Sequence, residues 1–289
     1  MAAEGQEPTA SEYIVHHLQH MQVDFALQSV KQKSIVDFSV FNLDSLIFST
    51  LLGIVALMLL WTGARRATSG VPGRWQAAVE MLVELVDNQA KSVIKNAQSR
   101  RFVGPLALFV FVWIFLMNFM DMIPVDLLPQ IWATAGPALG FKDYLRIVAT
   151  ADLSTTLGLS TLVLLLCIYY NIKIKGLGGW GHELISAPFG NHPVLWPFNL
   201  LMQIIEFIAK TVSHGMRLFG NMFAGELVFM LIALMGGAWA LSATGIGLAI
   251  GHVIAGIVWT LFHILVITLQ AFIFMMLTLI YVGQAHDAH

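Results

Sequence analysis

The chain has 289 residues, of which 57% are apolar and only 11% are charged. A soluble domain contains about 25% charged residues, so this composition excludes a soluble globular protein and indicates a polytopic membrane protein. The net charge of −2 comes with no basic nucleic-acid motif, so no nucleic-acid partner is predicted. The single cysteine, Cys167, lies in an apolar run and predicts neither a disulfide nor a metal site.

Residues 1–42 are predicted to form a polar N-terminal arm. The first residues are polar and acidic without a basic segment, so they are not expected to be a cleavable signal peptide. The arm contains His16, His17 and His20, and histidines this close together can bind a metal ion. Because these histidines lie in a polar arm, no metal site is predicted.

Residues 43–289 are predicted to form a single all-α membrane domain with five hydrophobic helices. Each apolar segment is long enough to cross a hydrocarbon core of about 30 Å, which takes about 20 helical residues. The last two segments are too long to stand upright in that core, so they are predicted to form a steeply tilted hairpin. The predicted spans cover residues 45–64, 102–121, 152–172, 198–235 and 248–282.

Residues 74–98 have apolar side chains at helical spacings, with acidic and basic residues between them. This pattern predicts an amphipathic helix at the membrane interface rather than a sixth span. Seven of the 15 lysines and arginines lie between Arg65 and Arg101. The positive-inside rule therefore predicts that this loop and the C-terminus are cytoplasmic, and that the N-terminal arm and loop 122–151 are outside.

Polar side chains on the fourth span recur at intervals of four, three, four and four residues, with Gln203 just before them. These intervals place them on one face of a helix. A charge at mid-bilayer costs about 2.5–3.5 kcal/mol on insertion scales, so Arg217 is predicted to be functional. Glu226, nine residues later, is predicted to face a different neighbour. The stripe consists of Glu206, Lys210, Ser213, Arg217 and Asn221.

A second polar stripe follows one face of the fifth span. Two such helices can simply hold each other through interhelical hydrogen bonds. The two helices also contain an arginine, a lysine, two glutamates and, on the fifth span, two histidines, so an ion path is the favoured interpretation. His182 and His192 are interpreted as loop or interfacial residues, as is His252. The second stripe consists of His252, Trp259, His263 and Gln270.

Two segments are specific enough to indicate a family. The run from Arg217 to Glu226 reads RLFGNMFAGE, and the run from Phe262 to Phe274 reads FHILVITLQAFIF. Together they resemble subunit a of the bacterial rotary F-type ATP synthase, and the resemblance covers nearly the whole chain from about Asn42. It implies a stator that faces a rotating ring of c subunits in the bacterial inner membrane. It also implies peripheral-stalk b subunits, the rest of the synthase and the lipid bilayer as partners.

The resemblance further implies that the chain has no cofactor and no ATP chemistry of its own. Arg217 would be the essential arginine that faces the ring carboxylate, between two proton half-channels. The outer half-channel would be lined by Asn221, Glu226, His263 and Gln270, with Asp121 near its mouth. The cytoplasmic half-channel would contain Glu206, Lys210, Ser213 and Gln203. Related chains often have an acid at position 203, where this chain has glutamine.

Two other classes are open alternatives. A self-contained secondary transporter predicts internal repeats and broken mid-membrane helices, and the five unequal spans contain no repeat. An intramembrane enzyme predicts a motif such as HExxH or GxSxG, and neither occurs in the sequence. His182-Glu183 lacks the second histidine that a zinc protease motif requires. A stator for a partner ring is the best interpretation of the sequence.

Overall fold

The computed structural model describes residues 10–25, 29–30, 32, 37, 39–68, 70–124, 127–135, 145–190, 192–237 and 241–285. Five helices among them are long and apolar enough to cross a membrane, which confirms the predicted all-α polytopic membrane fold. The most apolar stretch of each is at most 39% buried. The remaining apolar surface is therefore left for lipid or for other chains.

The helices have the following bounds in chain order. They are α1 (Ala10–His17), α2 (Leu43–Arg65), α3 (Arg74–Val93), α4 (Ala97–Phe119), α5 (Leu127–Ala135), α6 (Leu153–Ser186), α7 (Trp196–Gly237) and α8 (Ala243–Gln284). Two short strands, β1 (Gln22–Val23) and β2 (Phe41–Asn42), pair antiparallel. A short 3₁₀ turn (Met120–Met122) follows α4.

The N-terminal arm contains more regular structure than its polar composition predicts. The strand β1 in the arm pairs with β2, which directly precedes α2. The buried carboxylate of Asp44 accepts hydrogen bonds from the backbone N–H of Met21 (3.1 Å) and of Ser45 (2.8 Å). These contacts attach the arm to the start of the first span. Strands of two residues are too short to produce a recognisable alternation in the sequence.

The amphipathic helix α3 ends at Val93, before the end of the predicted segment 74–98. Ile94 has an extended backbone (φ −108°, ψ 106°), and the guanidinium Nη1 of Arg100 donates a hydrogen bond to its carbonyl at 3.0 Å. An arginine that satisfies a carbonyl at a helix end stabilises the termination. The next helix then begins at Ala97, five residues before the predicted start of the second span.

The helix α6 continues beyond the predicted end at residue 172. It breaks at Gly176, whose φ of 74° is readily adopted only by glycine, and then continues to Ser186. Lys175 and Glu183, on either side of the break, form an ion pair with Nζ–Oε1 at 2.8 Å. His182 therefore lies in a helix, which excludes the loop interpretation of this residue and leaves the interfacial one.

A short helix, α5, lies in the predicted outer loop 122–151. Pro129 is the third residue of α5, and a proline in the first turn removes no helical hydrogen bond. This first-turn position explains why a short helix forms in a loop that contains several prolines. Residues 125–126 and 136–144 of the loop lie outside the described residues.

The helices α7 and α8 each contain 42 residues. At 1.5 Å per residue each is about 63 Å long, roughly twice the thickness of a hydrocarbon core. Both extend slightly beyond the predicted bounds, 198–235 and 248–282. A steep tilt in the membrane remains a prediction from these lengths.

The chain divides into two compact units, and both α7 and α8 pass through each of them. The first unit comprises Met1–Ile54, Phe115–Asp152 and Phe219–Leu269. The second comprises Val55–Ile114, Leu153–Leu218 and Gln270–His289. Met222, Met230 and Ile267 are fully buried in the first unit, and Ile114, Met275 and Leu279 are fully buried in the second.

Candidate functional site

Four ionisable side chains are buried together in the first unit, and we call them the ionic cluster. Asp121 lies in the 3₁₀ turn after α4, Glu226 on α7 and His263 on α8. Arg146 comes from the segment that precedes α6. Each of the four is at most 6% exposed. Buried ionised groups are costly unless they are paired, so their mutual contacts decide whether the arrangement is stable.

Arg146 and Glu226 form a bidentate ion pair. The Nε of Arg146 donates to Oε1 of Glu226 at 3.3 Å, and Nη2 donates to Oε2. A planar guanidinium fits a carboxylate in this way and fixes its orientation. Glu226 thus faces a neighbour away from the polar stripe, as the sequence predicts, and that neighbour is an arginine that the sequence analysis did not single out.

A histidine of the arm completes the environment of this pair. The Nε2 of His20 lies 2.8 Å from Nη1 of Arg146. Because a guanidinium only donates hydrogen bonds, Nε2 is the acceptor, and the ring proton of a neutral His20 must be on Nδ1. That nitrogen faces Oδ2 of Asp44 at 3.5 Å, and the same carboxylate accepts the backbone N–H of Arg146 at 3.3 Å. The arm therefore helps to orient Arg146.

Asp121 and His263 form the second pair of the ionic cluster. The Nε2 of His263 lies 2.7 Å from Oδ2 of Asp121. The imidazole ring packs against the edge of Phe229 and stacks with Trp259, with centroids 5.1 and 6.1 Å apart. These aromatic contacts hold the imidazole in place beside the carboxylate.

A small cavity of about 20 Å³ connects the two pairs. Its lining includes Asp121, Arg146 and Glu226, together with His17 of α1. A polar cavity of this size holds about one water molecule. A single water is enough to exchange protons between neighbouring carboxylates, so the arrangement can transfer protons.

The close packing of Gly225 against His263 leads to a testable prediction. A Cβ at position 225 would collide with Cε1 of His263 and lie 3.2 Å from the carboxylate of Asp121. We expect Gly225→Ala to displace the imidazole and to destabilise the protein by about 1–3 kcal/mol, as overpacking does. The measurement is the thermal midpoint of the purified protein. Gly256→Ala is the matched control, since its Cβ meets only Ile232 at 3.8 Å; an equal effect of both substitutions would contradict this account.

The second unit contains a much larger cavity, of about 1040 Å³, which we call the polar cavity. One wall comes from α6 on both sides of the break at Gly176, and another from α7, with two residues of α8. The ionisable side chains in its lining are Cys167, Lys175, His182, Glu183, Glu206, Lys210, His214 and Tyr281. A cavity of this size and polarity can hold many water molecules.

Three of the four residues predicted for the cytoplasmic path line the polar cavity, namely Gln203, Glu206 and Lys210. The Nζ of Lys210 lies 2.6 Å from Oε1 of Glu206 and donates a hydrogen bond to Gln284 at 3.1 Å. Ser213 is exposed and does not belong to the lining.

Arg217 and Asn221 are exposed on α7, one helical turn apart. The guanidinium of Arg217 has no ion pair or hydrogen bond among the described residues, in contrast to the fully paired Arg146. Gly220 also leaves open space, since an added Cβ meets nothing within 4 Å. This part of α7 is therefore free to contact another molecule.

The other predicted residues are dispersed. Gln270 is buried in the second unit, and His252 contacts the carbonyl of Ile232 through Nδ1 at 2.6 Å in the first. The described part of the chain contains no group of three His, Cys, Asp or Glu side chains able to hold a metal ion. The side chain of His16 lies outside the described residues.

Sequence patterns did not single out Arg146 or His214, and they marked His20 only as a possible metal ligand. A lone arginine in the apolar run from Leu145 to Thr150 is the signal that could have identified Arg146. His214 directly follows Ser213 of the polar stripe, three residues before Arg217, and was not considered separately. No spacing rule could have connected His20 to residues more than a hundred positions away.

Long apolar helices with ion pairs buried among them define an all-α polytopic membrane protein. The sequence matches the family described as ATP synthase A chain over residues 46–283, and the chain belongs to this family. It is 69% identical to ATP synthase subunit a of Paracidovorax citrulli and 68% identical to that of Acidovorax sp. strain JS42, with full coverage of both chains. ATP synthase subunit a of Shewanella frigidimarina is 47% identical over the full length. The chain is thus a membrane subunit of an ATP synthase.

Proposed function

We propose that the chain is the stator of the membrane sector, which conducts protons to and from a ring of c subunits. The single observation that supports this most is the exposed guanidinium of Arg217, which has no partner among the described residues and lies within a long apolar helix. A permanent charge there costs free energy unless a partner compensates it. A carboxylate on a neighbouring rotor is such a partner, and the open space at Gly220 allows its close approach.

In this mechanism Arg217 favours the ionised form of the approaching ring carboxylate. Arginine remains protonated at all physiological pH values, so it acts as a fixed charge and not as a proton carrier. A ring carboxyl that arrives protonated releases its proton, passes Arg217 as an anion and is reprotonated from the other half-channel. The same charge repels protons that would otherwise cross directly between the half-channels. ATP chemistry resides in other subunits.

The outer half-channel is assigned to the ionic cluster. Its buried carboxylates and imidazole can hold and release protons, and the small cavity between the two pairs allows one water to link them. Asn221 and Gln270 are polar groups along the same two helices and are assigned to this path. The cytoplasmic half-channel is assigned to the polar cavity, which is lined by Gln203, Glu206 and Lys210, with Ser213 nearby on α7.

Substitutions in the ionic cluster test this assignment. We expect Glu226→Gln and His263→Asn together to slow ATP-driven proton pumping by about a hundredfold, the low end of the contribution of a positioned proton-transfer group. Proton flux is measured in vesicles that contain the complete complex, normalised to assembled complex. His252→Asn is the control, because this histidine on the same helix lies outside the ionic cluster and its Nδ1 contacts a backbone carbonyl. Wild-type flux in the double variant would refute the relay.

We also propose that the N-terminus lies outside and that the C-terminus and the segment between α2 and α3 are cytoplasmic. The support is the positive charge of residues 65–101. Cysteines introduced at Val15 and Val71 test this, since both side chains are exposed while the native Cys167 is buried. An impermeant thiol reagent added to intact cells should label position 15 and not position 71. Labelling of position 71 and not of position 15 would show that the chain has the opposite orientation in the membrane.

A further inference from the structure

His214 is a buried histidine on α7 that no part of the proposed mechanism uses. Its side chain is only 2% exposed and packs between Phe274 and Tyr281 of α8, with ring centroids 4.0 and 5.7 Å away. It also belongs to the lining of the polar cavity, with Lys210 one helical turn before it. All of these residues belong to the second unit.

Neither ring nitrogen of His214 has a hydrogen-bond partner among the described residues. A buried polar group that makes no hydrogen bond costs about 1–3 kcal/mol. If the role of His214 were only to fill space between two aromatic rings, an apolar side chain of similar size would serve without this cost. Both nitrogens are closed off from water in this conformation, but the imidazole lies at the wall of the polar cavity, so a small rotation of the ring brings a nitrogen to cavity water.

In the order of residues along α7, His214 lies between Arg217 and the other residues that line the polar cavity. Residues three apart on a helix are neighbours, so the imidazole lies beside the base of the Arg217 side chain. Arg217 itself is exposed, whereas His214 faces the polar cavity. The described lining of that cavity contains no residue of α7 beyond position 214, so this histidine is the last titratable group on α7 before the arginine.

We propose that His214 is a proton-carrying residue of the cytoplasmic path, which transfers protons between the rotor carboxylate near Arg217 and water in the polar cavity. This inference rests on the proposed function. When a proton leaves the rotor toward the cytoplasm, the O–H bond of the rotor carboxyl breaks and an N–H bond forms on the imidazole of His214. The resulting imidazolium then loses the proton of its other nitrogen to a cavity water, which becomes hydronium. The reverse sequence operates during pumping, and no oxidant or cofactor is involved.

The test compares three variants of His214 in vesicles that contain the complete complex. We expect His214→Leu and His214→Gln to lower ATP-driven proton pumping by about tenfold. This is less than the hundredfold contribution of positioned proton-transfer groups in enzymes, because cavity water leaves a slower route. In His214→Ala, imidazole added to the medium should restore the flux, since the polar cavity is large enough to admit it. Pyrrole, which has a similar ring without a basic nitrogen, should not restore it.

Each outcome distinguishes a proton carrier from a structural residue. Wild-type pumping in His214→Gln would overturn the proposal, as would a loss of flux in His214→Ala that imidazole does not reverse. A failure of all three variants to assemble with the rotor would likewise assign His214 a structural role. Arg217→Ala serves as the parallel control. If it loses pumping while His214→Gln does not, only the role of His214 is refuted; if Arg217→Ala still pumps, the proposed function itself fails.

Discussion

Arg146→Ala is expected to destabilise the protein by about 3–5 kcal/mol, because it leaves the buried carboxylate of Glu226 without its partner. Both side chains of this pair are less than a tenth exposed, so water cannot replace the lost contacts. The substitution also removes the guanidinium that His20 contacts. The loss should appear as a lower thermal midpoint of the purified complex and as less subunit in the membrane.

Two controls separate the buried pair from a general effect of charge. Lys91→Ala removes a cation from the exposed pair with Asp87, where the side chains are 56% and 49% exposed, and should cost at most about 1 kcal/mol. The double variant Arg146→Met, Glu226→Met removes both buried charges and should recover most of the stability, as the replacement of buried ion pairs often does. It should nevertheless conduct protons poorly. Equal destabilisation by Arg146→Ala and Lys91→Ala would contradict the account.

The fold was largely predictable because bilayer thickness constrains it. Charge-free segments of about 20 residues predicted α2 and α6, and the length of the last two segments predicted α7 and α8. The errors occurred where a single residue decides a boundary. Gly176 allows α6 to break and resume, and Ile94 ends α3 early through its extended backbone. Neither outcome follows from hydropathy, which averages over many residues.

The candidate site was predictable only along single helices. Helical spacing placed Glu226 away from the face of Arg217, and the structure shows it buried against a different partner. The identity of that partner depends on tertiary contacts between residues 80 positions apart, which no local pattern encodes. The same holds for His263, whose titratable chemistry was recognised while its contact with Asp121 was not. The sequence identifies the ionisable side chains of the site, and the packing of the helices determines which of them contact each other.

Arg217 is the position at which the largest functional loss is expected. We expect Arg217→Ala to lower ATP-driven proton pumping by about a hundredfold or more, the loss that follows removal of one preorganised electrostatic group. Because Arg217 makes no ion pair or hydrogen bond with the described residues, the stability of the chain itself should change little. The variant should therefore assemble and still fail to pump, in contrast to Arg146→Ala.

Lysine is not expected to replace Arg217. Lysine retains the positive charge, but it lacks the planar guanidinium that pairs with a carboxylate in a bidentate way. Its ammonium group can also lose a proton when it is desolvated. A neutral lysine would no longer favour ionisation of the rotor carboxylate. One charge moved across about 100 mV supplies only about 2.3 kcal/mol, so little free energy is available to compensate.

The most direct test of the central claim is proton flux through vesicles that contain the Arg217→Ala complex, measured with and without ATP. Met216→Ala, at an exposed neighbour on the same helix, is the matched control and should pump at a rate close to that of the wild type. We expect Arg217→Ala to show no ATP-driven pumping and an increased passive leak, since no fixed charge then separates the half-channels. ATP-driven pumping that survives in Arg217→Ala would contradict it, because the exposed arginine of α7 would then be dispensable for coupling.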